Sequence, residues 1–264
     1  MCDTCGCGDK KNTRVGGKRV DHDHGHSHEH DHDHEHDHEK GRVVKIERDI
    51  LEKNREYADR NRDFFREKNI LTLNLLSSPG AGKTTLLVNT IKALRQKSQA
   101  VPQIAVIEGD QETSLDAEKI RETGVAAIQI NTGKGCHLDA HMIEHAASDL
   151  ALKEGSILFV ENVGNLVCPA DFDLGESYKV VLLSVTEGED KPLKYPNIFA
   201  RADVLLLNKI DLLSYLRFNV EQCLSFARKI NPNLKIFKVS GLTSEGLTEW
   251  LAWLDEVRSS TKAR

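Results

Sequence analysis

Seven short apolar runs alternate with longer segments of helical spacing from residue 70 onward. Most runs are rich in β-branched residues and all are too short for helices, which is typical of strands buried in a parallel sheet. The predicted strands lie at 70–76, 104–107, 125–130, 157–160, 180–185, 204–207 and 234–239. The predicted helices between them lie near 84–97, 114–122, 137–153, 214–230 and 244–258. This alternation predicts an α/β fold with a doubly wound, mostly parallel sheet.

The segment before the first strand, residues 43–68, has a different pattern. Its apolar residues recur at mostly helical spacing among many charges, and it contains no Gly or Pro. This predicts an amphipathic helix that leads into the domain. The pattern therefore predicts a disordered tail at 1–42, a linker helix at 43–68 packed on the domain, and one domain at 69–264.

Composition sharpens this division. The first forty residues carry ten acidic and six basic side chains, whereas the rest of the chain is almost neutral within a total net charge of −5. With aromatic residues at 5%, the domain offers no basic, aromatic-rich surface for nucleic acid, which we do not expect as a partner. No apolar run approaches the roughly 20 residues that span a bilayer, and the N-terminus lacks a signal-peptide core. We expect a cytoplasmic protein without membrane insertion.

A phosphate-binding loop follows the first predicted strand. Residues 77–85 fit the Walker A spacing, with Ser77 in place of the first glycine. The glycines let backbone N–H groups surround phosphate oxygens, Lys83 acts on the β- and γ-phosphates in catalysis, and Thr84 binds Mg²⁺. A chance glycine turn is the alternative, but the strand before and the helix after disfavour it. The candidate nucleotide ligands in this loop are Gly80, Gly82, Lys83, Thr84 and Thr85.

Two carboxylates lie just beyond predicted strands, at the sheet edge where open α/β folds bind ligands. Asp110 follows the second strand, and Glu161 follows the fourth. We assign both to Mg²⁺ together with Thr84, and Asp110 also to orienting the attacking water in catalysis. A helix N-cap is the alternative role, above all for Asp110. Gly164 would let the segment after Glu161 move with the γ-phosphate.

The sixth predicted strand ends in the Asn-Lys-x-Asp pattern of guanine-binding loops, formed by Asn208, Lys209 and Asp211. The Asp211 carboxylate can accept from guanine N1–H and from the N2 amino group, whereas adenine would leave it unpaired. Four residues alone are a weak signal, and a helix cap is the alternative. Downstream of a phosphate loop they favour GTP over ATP. Ser240, after the last strand, is a further candidate contact to the base.

The N-terminal tail contains two candidate metal sites. Cys2, Cys5 and Cys7 offer three thiolates beside the α-amine that removal of Met1 would expose, a set that suits square-planar Ni²⁺. A zinc-binding or merely reactive cysteine cluster is the alternative. Further along, nine histidines alternate with acidic residues, which suits storage of several ions better than it suits a charged linker. These are His22, His24, His26, His28, His30, His32, His34, His36 and His38.

A third candidate metal site lies inside the domain. Cys136 and His137 follow the third predicted strand, and Cys168 follows the fourth, so all three lie beyond strand ends. Three soft or borderline ligands leave a tetrahedral ion one ligand short, which invites water or a ligand from a second subunit.

Three other residues of metal-ligating type receive a different interpretation. His141 and His145 follow His137 at four-residue spacing, and we interpret them as solvated or structural histidines, with assistance to a metal as the alternative. Cys223, on a predicted helix face, is interpreted as a small buried hydrophobe.

Together these motifs resemble the HypB family, the nickel-inserting GTPases of nickel–iron hydrogenase maturation. The resemblance covers nearly the whole chain and is carried by Cys2 to Cys7, the histidine tract, 77–85, 108–110, Cys136-His137, 161–169 and 208–211. It implies a P-loop domain of the SIMIBI type, slow GTP hydrolysis, tight nickel binding by the N-terminal cysteines, and nickel or zinc at Cys136, His137 and Cys168 in a GTP-dependent homodimer. It also implies transfer of nickel to the hydrogenase large subunit with a partner chaperone.

Two rival functions remain at this stage. The related urease-maturation GTPases also join a histidine-rich tail to a P-loop, but they carry Cys-Pro-His where this chain has Cys168-Pro169-Ala170. A nickel-storage protein with a vestigial GTPase is the other rival, and the intact Lys83 and Asp211 argue against it. We further expect the γ-phosphate and Mg²⁺ to order the segment from Glu161 to Cys168, which would couple the nucleotide state to the metal site.

Overall fold

The computed structural model of this protein describes residues 35–97, 102–110, 115–133 and 135–261, with the backbone alone for 35–47. The helices are α1 (Glu35–Glu67), α2 (Lys83–Lys97), α3 (Leu115–Arg121), α4 (Ala140–Asp149), α5 (Lys191–Lys194), α6 (Pro196–Arg201), α7 (Val220–Ile230) and α8 (Leu247–Thr261). The strands are β1 (Leu71–Ser77), β2 (Ile104–Asp110), β3 (Ala126–Asn131), β4 (Ile157–Glu161), β5 (Tyr178–Ser184), β6 (Val204–Asn208) and β7 (Lys235–Lys238). Short 3₁₀ turns cover Cys168–Ala170 and Ile210–Tyr215.

The seven strands form one parallel sheet in the order β3-β2-β4-β1-β5-β6-β7. The central strand β1 pairs with β4 on one side and with β5 on the other. All seven residues of β1 are buried, as are all five of β4 and of β6, which explains the continuous apolar runs of β4 and β6. The predicted doubly wound α/β fold is confirmed. All carboxyl ends of the strands therefore meet at one edge of the sheet.

One face of the sheet packs against α2 and α8. Trp250 and Trp253 of α8 stack with their ring centroids 5.2 Å apart, and the Trp250 indole Nε1 donates to Thr90 Oγ1 on α2 at 3.2 Å. Leu73 and Leu75 of β1 belong to the same apolar cluster. This cluster fixes the helix that starts at the phosphate loop against the middle of the sheet.

The opposite face has two apolar clusters. Beneath β5 and β6, the cluster includes Phe199 of α6 and Cys223 of α7. Beneath β2 and β4, it includes Phe65 of α1 and Ile143 of α4. Helices therefore cover both faces of the sheet, as a doubly wound fold requires.

Several helix boundaries differ from the prediction, and local capping explains two of them. We expected a helix over 137–153, but α4 begins at Ala140 because Asp139 caps it, accepting from Met142 N at 2.8 Å. Similarly, α7 begins at Val220 because the Asn219 side chain accepts from Gln222 N. The short helices α5 and α6 were not predicted, because their sequence pattern does not indicate a helix. Each has a proline in its first turn, a position at which helices tolerate proline.

The chain divides into two units, Met1–Glu52 and Lys53–Arg264. In the first unit the structure describes helical backbone from Glu35, eight residues before the predicted start at 43. Extending an existing helix adds one hydrogen bond per residue without a new nucleus, so it can pass beyond the last apolar position. Cys2, Cys5, Cys7 and the histidines from His22 to His34 lie outside the described residues. No helix among those described is both long and apolar enough for a bilayer.

Candidate nucleotide and metal sites

A cavity of about 600 Å³ opens at the carboxyl edge of the sheet, around the loop between β1 and α2. Gly80 and Gly82 adopt φ angles of 75° and 92°, which residues with a side chain rarely do. A Cβ at Gly82 would also come within 2.8 Å of Asn208 Nδ2. The loop thus needs glycine at both positions, and its predicted residues from Gly80 to Thr85 all line the cavity.

Ser77, which replaces the first glycine of the Walker pattern, has a visible role. It is fully buried at the end of β1, and its Oγ accepts from Lys83 Nζ at 3.0 Å while donating to Ser78 O. The serine hydroxyl therefore holds the lysine ammonium at the cavity. A phosphate oxygen would be a stronger, charge-assisted partner for that ammonium.

Thr84 is the centre of a carboxylate cluster. Its Oγ1 lies 2.7 Å from Glu161 Oε1 and 3.0 Å from Asp116 Oδ2, so one hydroxyl hydrogen serves two carboxylates. Asp116 also pairs with Lys119 Nζ at 2.8 Å, and both line the cavity. Asp116 was not among the predicted site residues, because the predicted carboxylates all follow strand ends and Asp116 lies in the first turn of α3.

The same cavity contains buried carboxyl groups whose hydrogen bonding is incomplete. Within the described residues, one carboxylate oxygen of Glu108 and one of Glu161 have no hydrogen-bond partner. Burial, then the Glu161 carboxylate, raises the pKa of Glu108 to about 8. Burial also raises the pKa of Glu161, with Lys83 opposing the shift. Asp110, half-buried beside them, lines the cavity too. Hard oxygen ligands next to a phosphate loop fit the requirements of Mg²⁺.

The base-binding motif is tied directly to the phosphate loop. Asn208 Nδ2 donates to Ala81 O at 2.9 Å, and Asn208 Oδ1 accepts from Gly241 N at 2.9 Å. Lys209 adopts a left-handed backbone conformation with φ of 62°, and its Nζ donates to Gly80 O at 2.7 Å. Both side chains therefore tie the base-binding motif to the phosphate loop.

Asp211 and Ser240 lie on adjacent loops and contact each other. Ser240 Oγ donates to Asp211 Oδ1 at 2.5 Å and accepts from the N–H groups of Leu242 and Thr243. We predicted Ser240 as a contact to the base, and its hydroxyl positions the carboxylate of Asp211. The predicted nucleotide residues are thus brought together at one edge, through direct lining of the cavity or through these hydrogen bonds.

Cys136, His137 and Cys168 form a cluster in which their ligand atoms all lie within 4.8 Å of one another. Cys136 Sγ is 3.6 Å from His137 Nδ1. The His137 ring packs on Phe172 with centroids 3.8 Å apart, and burial lowers its pKa, with Asp139 opposing the shift. A neutral imidazole beside two thiols is a ligand set for Ni²⁺ or Zn²⁺. The three residues predicted as metal ligands therefore come together within one chain, although they lie on separate loops.

One segment, 161–168, joins the nucleotide cavity to this cluster. Glu161 begins it and Cys168 ends it. Between them, Asn162 Oδ1 accepts from Leu138 N at 3.1 Å, directly after Cys136 and His137. A Cβ at Gly164 would come within 3.1 Å of Pro79 in the phosphate loop. The Asn162 connection could not be found in the sequence, because nothing in the local pattern pairs an amide with a loop 24 residues earlier.

The other candidate ligands have separate environments. Cys223 is fully buried in the apolar cluster below β6, and burial raises the pKa of its thiol to about 12, as a structural residue requires. His141 and His145 are exposed on α4, with their Nε2 atoms 3.0 Å apart.

Comparisons with known proteins place the chain in a family. The family model for the CobW/HypB/UreG nucleotide-binding domain matches residues 71–238. The hydrogenase maturation factor HypB of Rhizobium leguminosarum bv. viciae is 59% identical over 222 residues, covering 84% of this chain and 73% of that protein. The chain belongs to the HypB family. A second member of the HypB family, from Escherichia coli K12, is 58% identical over 217 residues, covering 82% and 73%.

A solved structure of the HypB family agrees with this fold. HypB from Helicobacter pylori, crystallised in complex with nickel, superposes with a TM-score of 0.73 at 38% sequence identity. The match covers 79% of this chain and 96% of that one. The family resemblance inferred from the sequence motifs is therefore confirmed. The HypB-family domain described here has its soft-ligand cluster and its phosphate loop joined by a single segment.

Proposed function

We propose that this chain is a GTP-hydrolysing nickel metallochaperone, which stores nickel and delivers it during maturation of the nickel–iron hydrogenase large subunit. The observation that carries the proposal is the 161–168 segment, which connects the nucleotide cavity to the Cys136, His137 and Cys168 cluster. The family membership and the nickel-bound Helicobacter pylori relative support nickel as the cargo.

The chemistry at the nucleotide end follows from the cavity. Lys83, now held by Ser77, would transfer to the β- and γ-phosphates and stabilise their charge in the transition state. Thr84, Glu161 and Asp110, with Asp116 nearby, would hold Mg²⁺, which supplies charge neutralisation on the phosphates. Asp110 would orient the attacking water. Asn208, Lys209 and Asp211 would select guanine, with Ser240 positioning the Asp211 carboxylate.

The metal end supplies three ligands from one chain. A tetrahedral Zn²⁺ or a square-planar Ni²⁺ needs a fourth, which water or a second subunit would provide. We therefore propose a homodimer promoted by nucleotide and metal, and a partner chaperone that receives or supplies the ion. The N-terminal cysteines and the histidine tract would bind nickel tightly and store it, respectively.

Coupling between the two ends is the mechanistic core of the proposal. The close approach of Gly164 to Pro79 and the bond from Leu138 N to Asn162 would carry a shift of the phosphate loop into the 161–168 segment. The segment therefore transmits the nucleotide state to Cys168. Hydrolysis would relax the segment and weaken the grip on nickel.

Nickel–thiolate absorption of a full-length variant with Cys2, Cys5 and Cys7 replaced by Ala would test this coupling. The histidine tract contributes no thiolate band, so near-ultraviolet charge-transfer absorption reports Cys136 and Cys168 alone. We expect tighter nickel binding with a non-hydrolysable GTP analogue than with GDP. Equal affinity in both nucleotide states would refute the coupling, and a Cys168→Ser variant without the band serves as the control.

A further inference from the structure

Two buried asparagines of α1 hold two other segments of the chain together. Asn54 and Asn61 are seven residues apart, about two helical turns, so they lie on the same side of α1. The Asn54 side chain accepts from Ala140 N at 2.9 Å and donates to Asp173 O at 2.7 Å. Asn61 Nδ2 donates to Ala140 O at 2.8 Å and to Leu174 O at 3.0 Å. Each asparagine therefore joins the first residue of α4 to the segment at 173–174.

The two bridged segments are those that directly follow the proposed metal ligands. Ala140 is three residues after His137, and Asp173 is five residues after Cys168. Between these positions the His137 ring packs on the ring of Phe172, with centroids 3.8 Å apart. A change in the separation of the two segments would therefore change the separation of the ligands.

The segment after Cys168 also packs tightly on α1. Gly175 has a φ of 84°, and a Cβ there would come within 2.5 Å of Ala58 O and within 2.7 Å of Asn61 Cβ. Both asparagines are buried, with 7% of Asn54 and 2% of Asn61 exposed. Because water does not compete at such positions, truncating either side chain would leave main-chain groups without a partner. Packing and hydrogen bonds together thus fix both segments against α1.

A third bridging asparagine shows what a purely structural role looks like. Asn231 Nδ2 donates to Phe199 O at 3.2 Å and to Ala202 O at 2.7 Å, the same chemistry as at Asn61. The segments that it joins contain none of the three clustered metal ligands. Asn231 therefore provides a matched comparison for Asn61.

We propose that Asn54 and Asn61 are positioning residues of the metal site, which hold His137 and Cys168 at the spacing that one ion requires. Neither asparagine touches the ion. The proposal rests on the proposed function, because it takes the cysteine–histidine cluster as the nickel site. The geometry of that site is then set by two structures, the 161–168 segment from the nucleotide cavity and the buried face of α1.

Nickel titration of the full-length chain, with Cys2, Cys5 and Cys7 replaced by Ala and GDP present throughout, tests the proposal. Asn54→Ala and Asn61→Ala should each weaken nickel binding at the thiolates about tenfold and shift the charge-transfer band. Asn231→Ala should change neither, although it too loses two hydrogen bonds. Urea unfolding of the metal-free proteins checks that the variants at positions 61 and 231 lose comparable stability. GTP affinity confirms that each variant is folded.

A second measurement reads the spacing of Cys136 and Cys168 without any metal ion. Phenylarsine oxide condenses with two neighbouring thiols, forming two As–S bonds and releasing its oxygen as water with the two thiol protons. Cys223 is buried elsewhere and offers no second thiol. In the same background, the concentration of reagent that half-saturates the pair should rise about tenfold in Asn61→Ala and stay unchanged in Asn231→Ala. Mass spectrometry of the intact chain measures the adduct.

Two results would overturn the proposal. One is an unaltered nickel affinity and an unaltered arsenical affinity in Asn61→Ala or, should that variant not fold, in Asn54→Ala. The other is an equal loss in Asn231→Ala, which would mean that reduced stability alone explains the effect. If the thiolates bind no nickel even with both asparagines present, the proposed function fails, whereas the arsenical comparison still decides the role of the asparagines.

Discussion

The two sides of the nucleotide cavity differ in how completely their polar groups are satisfied. On the base side, the Asn208 amide bonds to Ala81 and Gly241, and Ser240 donates to Asp211. On the phosphate side, Glu108 and Glu161 each keep a buried oxygen without a hydrogen-bond partner among the described residues. The groups of the base side are held by hydrogen bonds to one another, whereas the phosphate side has buried carboxyl oxygens that a cation could coordinate.

This difference predicts how each side responds to damage. When one group of a preformed hydrogen-bonded site is replaced, its neighbours remain in place. The loss then appears in the selectivity of binding. A site with uncompensated carboxylates is destabilised until a cation arrives, so removing a carboxylate there relieves the free protein while impairing catalysis.

The largest effect is expected from Lys83→Ala. Lys83 is the ammonium that the phosphate side provides next to its carboxylate cluster, and loss of such a transition-state contact lowers kcat by at least about 10²-fold to 10³-fold. Steady-state release of inorganic phosphate from GTP measures it. Lys97→Ala, which removes an exposed pair with Asp255, is the control and should retain the full rate. An unchanged rate in Lys83→Ala would support a storage protein with a vestigial GTPase.

On the base side, Asp211→Asn should weaken GTP binding by about 10²-fold or more, because an amide presents a donor where guanine also has donors. The same variant should gain affinity for xanthosine triphosphate, whose base has a hydrogen-bond acceptor where guanine has the N2 amino donor. Ser240→Ala keeps the Asp211 carboxylate but removes its hydroxyl partner, so the affinity for GTP should fall by about tenfold. Competition against a fluorescent nucleotide measures both variants. Unaltered guanine preference in Asp211→Asn would show that this motif does not read the base.

Glu108→Gln should stabilise the nucleotide-free protein in alkaline solution. The folded pKa of Glu108, about 8, is above its ordinary value of 4.5, so the fold favours the protonated acid. The unmodified chain therefore loses stability as pH rises from 4.5 to 8, and the glutamine variant does not. The stability advantage of the variant should grow by about 1.4 kcal/mol per pH unit between these two values and level off above pH 8, with no difference below the ordinary value.

Urea unfolding at several pH values without Mg²⁺ measures this difference, and a variant less stable than the unmodified chain at pH 9 would contradict it. Adding Mg²⁺ and nucleotide should close the gap, since the cation then compensates the carboxylates. Glu245→Gln, on an exposed loop, is the control and should show no such pH dependence.

The smallest effect is expected from Asn162→Ala. This change leaves the Leu138 and Val163 N–H groups without their amide acceptor, and it cuts the connection to the metal loop. The nickel affinity with the GTP analogue, divided by the nickel affinity with GDP, should fall a few-fold towards one. Asn231→Ala removes a comparable bridge, to Phe199 O and Ala202 O, away from both sites, and should leave the ratio intact. A preserved ratio in Asn162→Ala would show that coupling takes another route.

How much the sequence predicts depends on whether the signal is local. The strands are predictable because burial on both faces makes β4 and β6 nearly continuous apolar runs. The phosphate loop and the Asn-Lys-x-Asp motif are contiguous, so their chemistry can be read directly. The Cys136, His137 and Cys168 cluster was predictable only because all three follow strand ends, which a parallel sheet brings to one edge.

The missed features depend on contacts between distant segments. Asp116 reaches Thr84 from a helix, which no rule about strand ends would find. Whether the Glu108 oxygen finds a hydrogen-bond partner depends on all the groups that line the cavity. The bond between Asn162 and Leu138 depends on how two distant loops pack together. Helix boundaries shifted because caps such as Asp139 override the extent of the apolar pattern.

The paired indoles of α8 give this protein an intrinsic optical reporter. Trp250 is hydrogen-bonded to Thr90, which lies two turns into α2. Trp253 stacks on Trp250. These are the chain's two tryptophans, so its emission spectrum comes from a single location. A displacement of α2 on phosphate binding would change the indole's hydrogen bond and its emission wavelength. Stopped-flow fluorescence could then time nucleotide binding without any attached dye, while thiolate absorption follows nickel in the same cuvette.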